Sequence, residues 1–380
     1  MHFQWHQWSL AGFFSVLLVI ALSNFWGIPR LRRKPAPSFP KVSILIPMRD
    51  KAGNAEGVIS SALALDYPDF EVLVYEEGSR DGTWEVLAGI THPQLKVIKG
   101  TPPPPGWTGK NWACHNLAKQ GKGELLLFLD ADVRLAPQAL QAAVAELIDG
   151  RYHMISVLPH QEVGSFGELL LVSIIPWALA SFFPLILTKF FPRTKLQATV
   201  GQFILVRKDA YEEAGGHEAI RGEVLDDFEL GWRMRERGFG VGLFYGGELV
   251  SCRMYRGFRQ AFDGLSKNLF LVFRRRLALF AFVWAFVLYS SWQPLSVSVA
   301  AGLGASVPDG ALLPSLLAAA LSLALWGITA VRFGLPGYLP LVHPLVTAVA
   351  FATAVRSAYW HLSGRGTWKG RTIHVKGERC

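Results

Sequence analysis

The sequence predicts an α/β fold, a mostly parallel sheet with helices on its faces and transmembrane helices before and after it. Three observations carry this reading. Between residues 41 and 133, short apolar runs alternate with helix-like stretches, the pattern of right-handed βαβ units. One of those runs, Leu125-Leu126-Leu127-Phe128-Leu129, is apolar at every position, as a strand buried on both faces of a parallel sheet must be. Long apolar segments lie near the N-terminus and again beyond residue 276, each with enough residues to cross a hydrocarbon core.

Composition narrows the class. The 380 residues are 51% hydrophobic, with 13 Trp and 25 Phe, too apolar for an ordinary soluble enzyme. Much of the net charge of +9 sits beside apolar segments, where cytoplasmic membrane faces collect Lys and Arg, so it does not argue for a nucleic-acid partner. Cys114, Cys252 and Cys380 form no Cys-x-x-Cys pair and no even framework, which fits a reducing compartment without a disulfide scaffold. The ten His show no zinc-site spacing.

Taken in order, residues 1–29 read as an N-terminal anchor with an apolar run at 10–28. No basic region precedes that run and no small-residue cleavage site follows it, so a removed signal peptide is not expected. Arg30, Arg32, Arg33 and Lys34 mark the following side as cytoplasmic, with the N-terminus outside. Pro35, Pro37 and Pro40 make a stiff spacer. A catalytic domain is then expected over residues 30–276. Its strands are Val42-Ser43-Ile44-Leu45-Ile46-Pro47, Glu71-Val72-Leu73-Val74-Tyr75, a short run at 95–98 and the run ending at Leu129, with a helix over 54–65. Glu76, Glu77, Asp130 and Asp132 would then gather at strand carboxyl ends, where open α/β sheets bind ligands.

Asp130 and Asp132 flank a small Ala131 on the turn leaving the apolar strand. That pair suits Mg²⁺ or Mn²⁺, which proteins bind through few carboxylates together with substrate phosphates; a plain polar turn is the alternative. The four prolines at 102–105 exclude helix and central strand and make a rigid loop that brings Gly106 to Lys110 to the sheet edge. Glycines followed by a lysine suit a diphosphate, against the plainer reading of a solvated loop. Residues 166–191 are apolar but broken by Pro176 and Pro184, which predicts an interfacial segment half sunk in lipid; a buried hairpin is the alternative.

Gly201 to Val206 reads as a further strand, and Asp226-Asp227 as the first turn of a helix running to Arg237, where acidic residues are favourable as caps. Arg253, Arg256, Arg259, Lys267 and Arg274-Arg275-Arg276 form a basic belt for a membrane surface. Residues 277–360 hold the C-terminal membrane segments. Two are clean, at about 277–300 and 311–331; the third, at 335–359, carries four breakers (Pro336, Gly337, Pro340, Pro344) and is expected to be re-entrant or interfacial. That keeps the basic tail, residues 361–380, in the cytoplasm.

Ile46-Pro47, the acidic pair Glu76-Glu77 before Gly78-Ser79-Arg80-Asp81-Gly82-Thr83, Asp130-Ala131-Asp132, and Asp226-Asp227-Phe228-Glu229-Leu230 together resemble the family 2 glycosyltransferases of GT-A fold. Lys110-Asn111, Arg253-Met254-Tyr255, Gly264-Leu265-Ser266-Lys267-Asn268 and Trp368-Lys369-Gly370-Arg371 look like the branch that glycosylates carotenoid acids or hopanoids. One departure is the Glu76-Glu77 pair, where the family usually has two aspartates. No Gln-x-x-Arg-Trp of processive polysaccharide synthases occurs.

The resemblance implies donor contacts from Pro47, Glu76, Glu77, Lys110, Asp130 and Asp132. It implies metal ligation by Asp130 and Asp132, and a catalytic base at Asp227 with Asp226 as its neighbour. The expected activity is inverting transfer of a hexose, glucose by the resemblance, from a nucleotide-diphosphate sugar such as a UDP-sugar to a lipid-soluble polyprenoid, in a multi-pass protein of the cell membrane with a cytoplasmic catalytic domain. An intact acidic pair favours an alcohol acceptor and the branch resemblance a carotenoid acid; the resemblance, which covers more of the chain, sets the expectation. The rivals are a polyprenyl-phosphate or hopanoid glycosyltransferase and a non-catalytic membrane scaffold.

Overall fold

The computed structural model describes residues 2–191, 196–273, 276–363, 367–368 and 371–372. Arg274 and Arg275 of the basic belt, and Arg365, Lys369, Gly370, Lys376 and Arg379 of the tail, lie outside the described residues. Two compact units share the chain. One takes the described residues of Ile28–Glu162 and Leu187–Met254; the other takes those of Met1–Gly27, Val163–Ile186 and Tyr255–Ile373.

The first unit is built on a seven-stranded sheet. Its strands are β1 (Val42–Met48), β2 (Phe70–Glu76), β3 (Leu95–Lys99), β4 (Leu125–Leu129), β6 (Met154–Leu158), β8 (Phe203–Arg207) and β9 (Val241–Tyr245), in the order β3-β2-β1-β4-β8-β6-β9. A small sheet of β5 (Val133–Leu135), β7 (His160–Gln161) and β10 (Val250–Cys252) adjoins it in the order β5-β10-β7. β3, β2, β1 and β4 run parallel, β8 runs antiparallel to both β4 and β6, and β9 is parallel to β6.

Side chains alternate across this sheet, so each strand feeds two cores. Ile44, Ile46, Val72, Val74, Leu127, Leu129 and Leu205 enter one, and Leu45, Leu73, Leu126, Phe128, Ile204 and Val206 the other. Burial on both faces explains why β4 carries no polar residue, and each such side chain contributes roughly 1.5–3 kcal/mol through removal from water. β1 pairs with β4 only as far as Leu45, opposite Phe128. The strand thus leaves the β4 ladder two residues before Pro47, which has no N–H to donate.

The second unit is helical. His2–Gly27, Leu277–Gly302, Leu312–Phe333 and Leu339–Leu362 carry four segments that are, among the described residues, long and apolar enough to cross a membrane by length and composition. Residues 166–182 form two short helices, Phe166–Val172 and Ile174–Phe182, packed among these. Leu169, Leu171 and Trp177 are buried there, and the Trp177 ring stacks on Trp326 at 5.0 Å. Asn24 fastens the end of the second short helix, donating to the carbonyls of Ala180 and Phe183 and accepting from the amide of Leu185.

The segment expected to break at its prolines is instead one continuous helix. Pro340 sits in the first turn, where a missing N–H loses no intrahelical bond. Pro344 leaves the carbonyl of Pro340 without its helical donor, and the Nδ1 of His343 takes that carbonyl at 2.7 Å. Ser322 of the neighbouring helix satisfies the other ring nitrogen at 3.0 Å. Gly264 lies so close to the Tyr255 ring that a Cβ would meet Cε1 at 2.3 Å, which gives one motif of the family branch a packing reason.

Candidate active site

Four stretches deliver the site. β4 ends at Leu129, and the turn to β5 carries Asp130 and Asp132. That turn is held by the Asp130 amide, which donates to the carbonyl of Gln202, and by the Val133 amide, which donates to the carbonyl of Asp130. Lys110 lies in the first turn of the helix Gly109–Gln120, not in the proline loop itself; Thr108 caps that helix by accepting the Asn111 amide. The third stretch is the start of the helix Asp226–Glu236, with both acids in its first turn. The fourth, unexpected from the sequence, is the loop after β1 that carries Lys51.

Asn111 joins the second stretch to the third. Its side-chain amide is buried and donates to the carbonyls of Ile220, Arg221 and Glu223, at 2.8, 3.2 and 2.9 Å. It therefore ties the loop before Asp226 to the Lys110 helix instead of facing a ligand.

Lys110 is the centre of the charge arrangement. Its Nζ stands 3.1 Å from Oδ1 of Asp130 and 3.2 Å from Oδ2 of Asp226. Removal from water opposes the Lys110 charge, but Asp130 and Asp226 outweigh it and hold the ammonium well above the usual lysine range. Burial pushes Asp130 upward; Lys110 pulls it back, while Asp132 and Asp226 add to the push. Lys51 meets Asp132 in the same way, Nζ to Oδ2 at 3.2 Å. The Lys51 amide donates to the Thr83 hydroxyl. Asp50, at a φ of 47°, donates its amide to Ser79 and accepts the Arg80 amide. The β1 loop and the Gly78–Thr83 loop thus lock each other and aim Lys51 at the acids.

Asp227 is held differently. Its Oδ2 accepts the Gly201 amide and its Oδ1 the Phe228 amide, each at 2.8 Å, and its carbonyl accepts the Thr199 hydroxyl at 2.7 Å. Gly201 approaches so closely that a Cβ would lie 3.2 Å from both the Asp227 Cβ and the Lys110 Nζ. Burial, reinforced by the neighbouring Asp226, lifts the Asp227 carboxyl to about 6. Lys110, Asp130, Asp226 and Asp227 are therefore brought together.

The remaining expected residues sit nearby but are differently engaged. Glu76 ends β2 and is only 2% exposed; its carboxylate accepts the amides of Gly78 and Ser79, so it shapes its own loop. The Glu77 amide donates to the Met48 carbonyl. Pro47 lies opposite Tyr75 in the β1–β2 register. Asp81 holds two helix starts, accepting the amides of Ala52 and Thr83. Behind Asp132, Gln202 donates to the Cys252 sulfur, and burial followed by the Asp132 charge pushes that thiol up.

Among the described residues no cluster of three or more His, Cys, Asp or Glu forms a ready metal cage. The turn still fits a divalent ion held chiefly by substrate. The Oδ1 of Asp132 is buried without a hydrogen-bond partner, and it belongs to a hard oxygen ligand next to the Asp130 turn.

Residues 43–215 match the family model described as glycosyl transferase family 2. The chain is similar to the 4,4'-diaponeurosporenoate glycosyltransferases of Staphylococcus aureus (strain USA300), 25% identical over 236 residues, and of Staphylococcus haemolyticus (strain JCSC1435), 26% identical over 247 residues. These matches take in 60% and 63% of the chain and the same shares of the two relatives, so each spans less than two thirds of a relative's length. Among solved structures it resembles the mannosyltransferase PcManGT of Pyrobaculum calidifontis, solved with GDP-Man and Mn²⁺, with a TM-score of 0.55 and 19% identity over 96% of this chain and 99% of that one. Asp226 and Asp227 lie beyond the matched family segment. The strand order, the acidic turn after β4 and the match of residues 43–215 to the family 2 glycosyltransferase model converge on a GT-A fold.

Proposed function

We propose that the protein is a membrane-bound inverting glycosyltransferase that moves a hexose from a nucleotide-diphosphate sugar to a lipid-soluble polyprenoid. The observation that carries this reading is the meeting of Asp130, Asp226 and Lys110 at 3.1 and 3.2 Å beside Asp227, within a GT-A fold. Nucleotide sugar and Mn²⁺ in the P. calidifontis structure support the donor class and the cofactor. The Staphylococcus names support an apolar polyprenoid as acceptor. Four helices long and apolar enough to cross a membrane support a multi-pass protein of the cell membrane, with the basic Arg30-to-Lys34 run, and so the catalytic domain, on the cytoplasmic side.

Asp130 and Asp132 would hold Mg²⁺ or Mn²⁺, which supplies charge stabilisation to the departing diphosphate. Lys110 and Lys51 bring two ammonium groups to the same acids and are suited to receive the diphosphate oxygens. Pro47 and Glu77 line the strand ends where the nucleoside would lie, and Glu76 holds the loop below it. Asp227 accepts a proton from the attacking group, and attack from the face opposite the diphosphate inverts the anomeric carbon.

The test is release of nucleoside diphosphate by purified protein in detergent, across UDP- and GDP-sugars, with and without Mn²⁺ and lipid extract. Metal-dependent release, with an inverted anomeric centre in the product by NMR, is expected. No release with any nucleotide sugar would leave a non-catalytic scaffold.

A further inference from the structure

We infer that Arg134 is a positioning residue for the donor and cation site: its guanidinium, seated against Gly57, ties the turn of Asp130 and Asp132 to the helix that begins beside Lys51. This deepens, and rests on, the glycosyl-transfer reading above. Arg134 is the middle residue of β5, between the buried Val133 and Leu135. Its Nη1 donates to the carbonyl of Val133 at 2.8 Å and, in a longer contact, to that of Ala131 at 3.4 Å. Those two carbonyls stand on either side of Asp132 in the chain. Its Nη2 donates at 3.3 Å to the carbonyl of Asn54, in the first turn of the helix Ala52–Leu63. Lys51 precedes that helix, and its own carbonyl accepts the amides of Asn54 and Ala55. One planar group therefore holds the backbone on both sides of the 3.2 Å contact between Lys51 and Asp132.

The helix leaves room for this group. A Cβ at Gly57 would lie 2.5, 2.6 and 2.7 Å from Nη2, Nε and Cζ of Arg134. Gly57 is inside the helix and has no positive φ, so no turn calls for it there. Glycine at such a place costs about 0.5–1 kcal/mol relative to alanine, which the space for the guanidinium explains. A lysine is no substitute, because the single ammonium lacks the rigid fork that reaches several carbonyls at once. The consequence is the orientation of Asp132. With turn and helix held together, Oδ2 meets Lys51 while Oδ1 stays buried without a hydrogen-bond partner. Arg134 touches neither oxygen in these contacts; it fixes the backbone that aims them.

The test uses the full chain in detergent, with Mn²⁺ binding followed by calorimetry in the presence of UDP or GDP, whichever the wild type binds. Arg134→Met removes the bridge together with its charge. Gly57→Ala pushes the flexible guanidinium off the helix and keeps every charged group. Each is expected to weaken Mn²⁺ binding about tenfold, the lower end of what losing a ligand's supporting contact costs. The double variant is expected to lose no more than Arg134→Met alone, because both changes break one contact. Arg134→Lys is expected not to restore binding. Gly57→Ala is expected to keep the wild-type melting temperature, since alanine is the better helix former and offsets the lost contact; it carries the test should Arg134→Met fail to fold. Wild-type Mn²⁺ affinity in either single variant, or losses that add in full in the double variant, overturns the inference. A Gly57→Ala protein that melts well below wild type overturns it equally, since the site would then suffer from general damage. A wild-type protein that binds neither Mn²⁺ nor nucleoside diphosphate would instead refute the glycosyl-transfer reading itself.

Discussion

Two acidic pairs meet at Lys110, and they are not alike. Asp130 and Asp132 flank one alanine on a turn after a strand, and each meets an ammonium, from Lys110 and Lys51 respectively. Asp226 and Asp227 are adjacent at a helix start; one shares Lys110, and the other is held by two backbone amides. The first pair is balanced by positive charge and is matched to phosphates and a hard cation. In the second, Asp227 is held by two backbone amides; burial, with Asp226, lifts its carboxyl further than the Lys110 charge and those amides pull it down, which suits it to take a proton. The same side chain is placed for two chemistries here because its donors differ, not because its local sequence does.

The comparison can be broken at several points. Asp132→Ala removes the acid whose Oδ1 has no partner and is expected to lower kcat about 10³-fold, with weaker Mn²⁺ binding by calorimetry. Wild-type metal affinity in that variant would detach the first pair from the cation. Next comes Gly201→Ala: a Cβ 3.2 Å from both Asp227 and Lys110 makes one of them give by a few tenths of an ångström, so kcat is expected to fall by less than the roughly 10²-fold that a 1 Å misplacement costs. Retained activity would mean that the amide contact does not set the position of Asp227.

Lys51→Met is expected to raise the KM for the nucleotide sugar about tenfold, the equivalent of about 1.4 kcal/mol. Binding of the nucleoside without phosphates should not change. If Lys51 served only as a counter-ion for Asp132, the variant would bind Mn²⁺ more tightly and leave KM untouched.

The smallest effect concerns stability and pH. The carboxyl of Asp227 is raised from 3.8 to about 6 on folding, so the folded state holds its proton more tightly between those values. Stability therefore falls as pH rises through that window, and above it the buried charge weakens the fold. Asp227→Asn should melt a few degrees higher than wild type at pH 8 and at the same temperature at pH 3.5. An equal shift at both pH values would locate its origin in packing.

Much of this site was legible in sequence, for local reasons. β4 is apolar at every position, so its buried place and the acidic turn after it follow from hydrophobic patterning alone. The Asp226–Glu236 helix announces itself by acids in its first turn and Arg233 and Arg235 in its last. Lys51 was not legible, because its approach to Asp132 depends on Asp50 adopting a positive φ and on the lock with Ser79, Arg80 and Thr83. Asn111 stood out only as part of the branch resemblance beside Lys110; its structural role was hidden because its three carbonyl partners lie more than one hundred residues away. The continuous Leu339–Leu362 helix escaped for a similar reason, since the bond that compensates Pro344 comes from the His343 ring, which Ser322 steadies from another helix.

By itself the sequence determined β1 to β4, β8, three of the four long apolar helices and which acids stand at element ends, because those depend on residues a few positions apart; β6, β9 and the unbroken last helix were not among its readings. Only the tertiary structure decided which cation each acid received and which acid is oriented by backbone amides. That choice is made by side chains arriving from distant parts of the chain, and carboxylate chemistry follows the charge and hydrogen-bond donors around it.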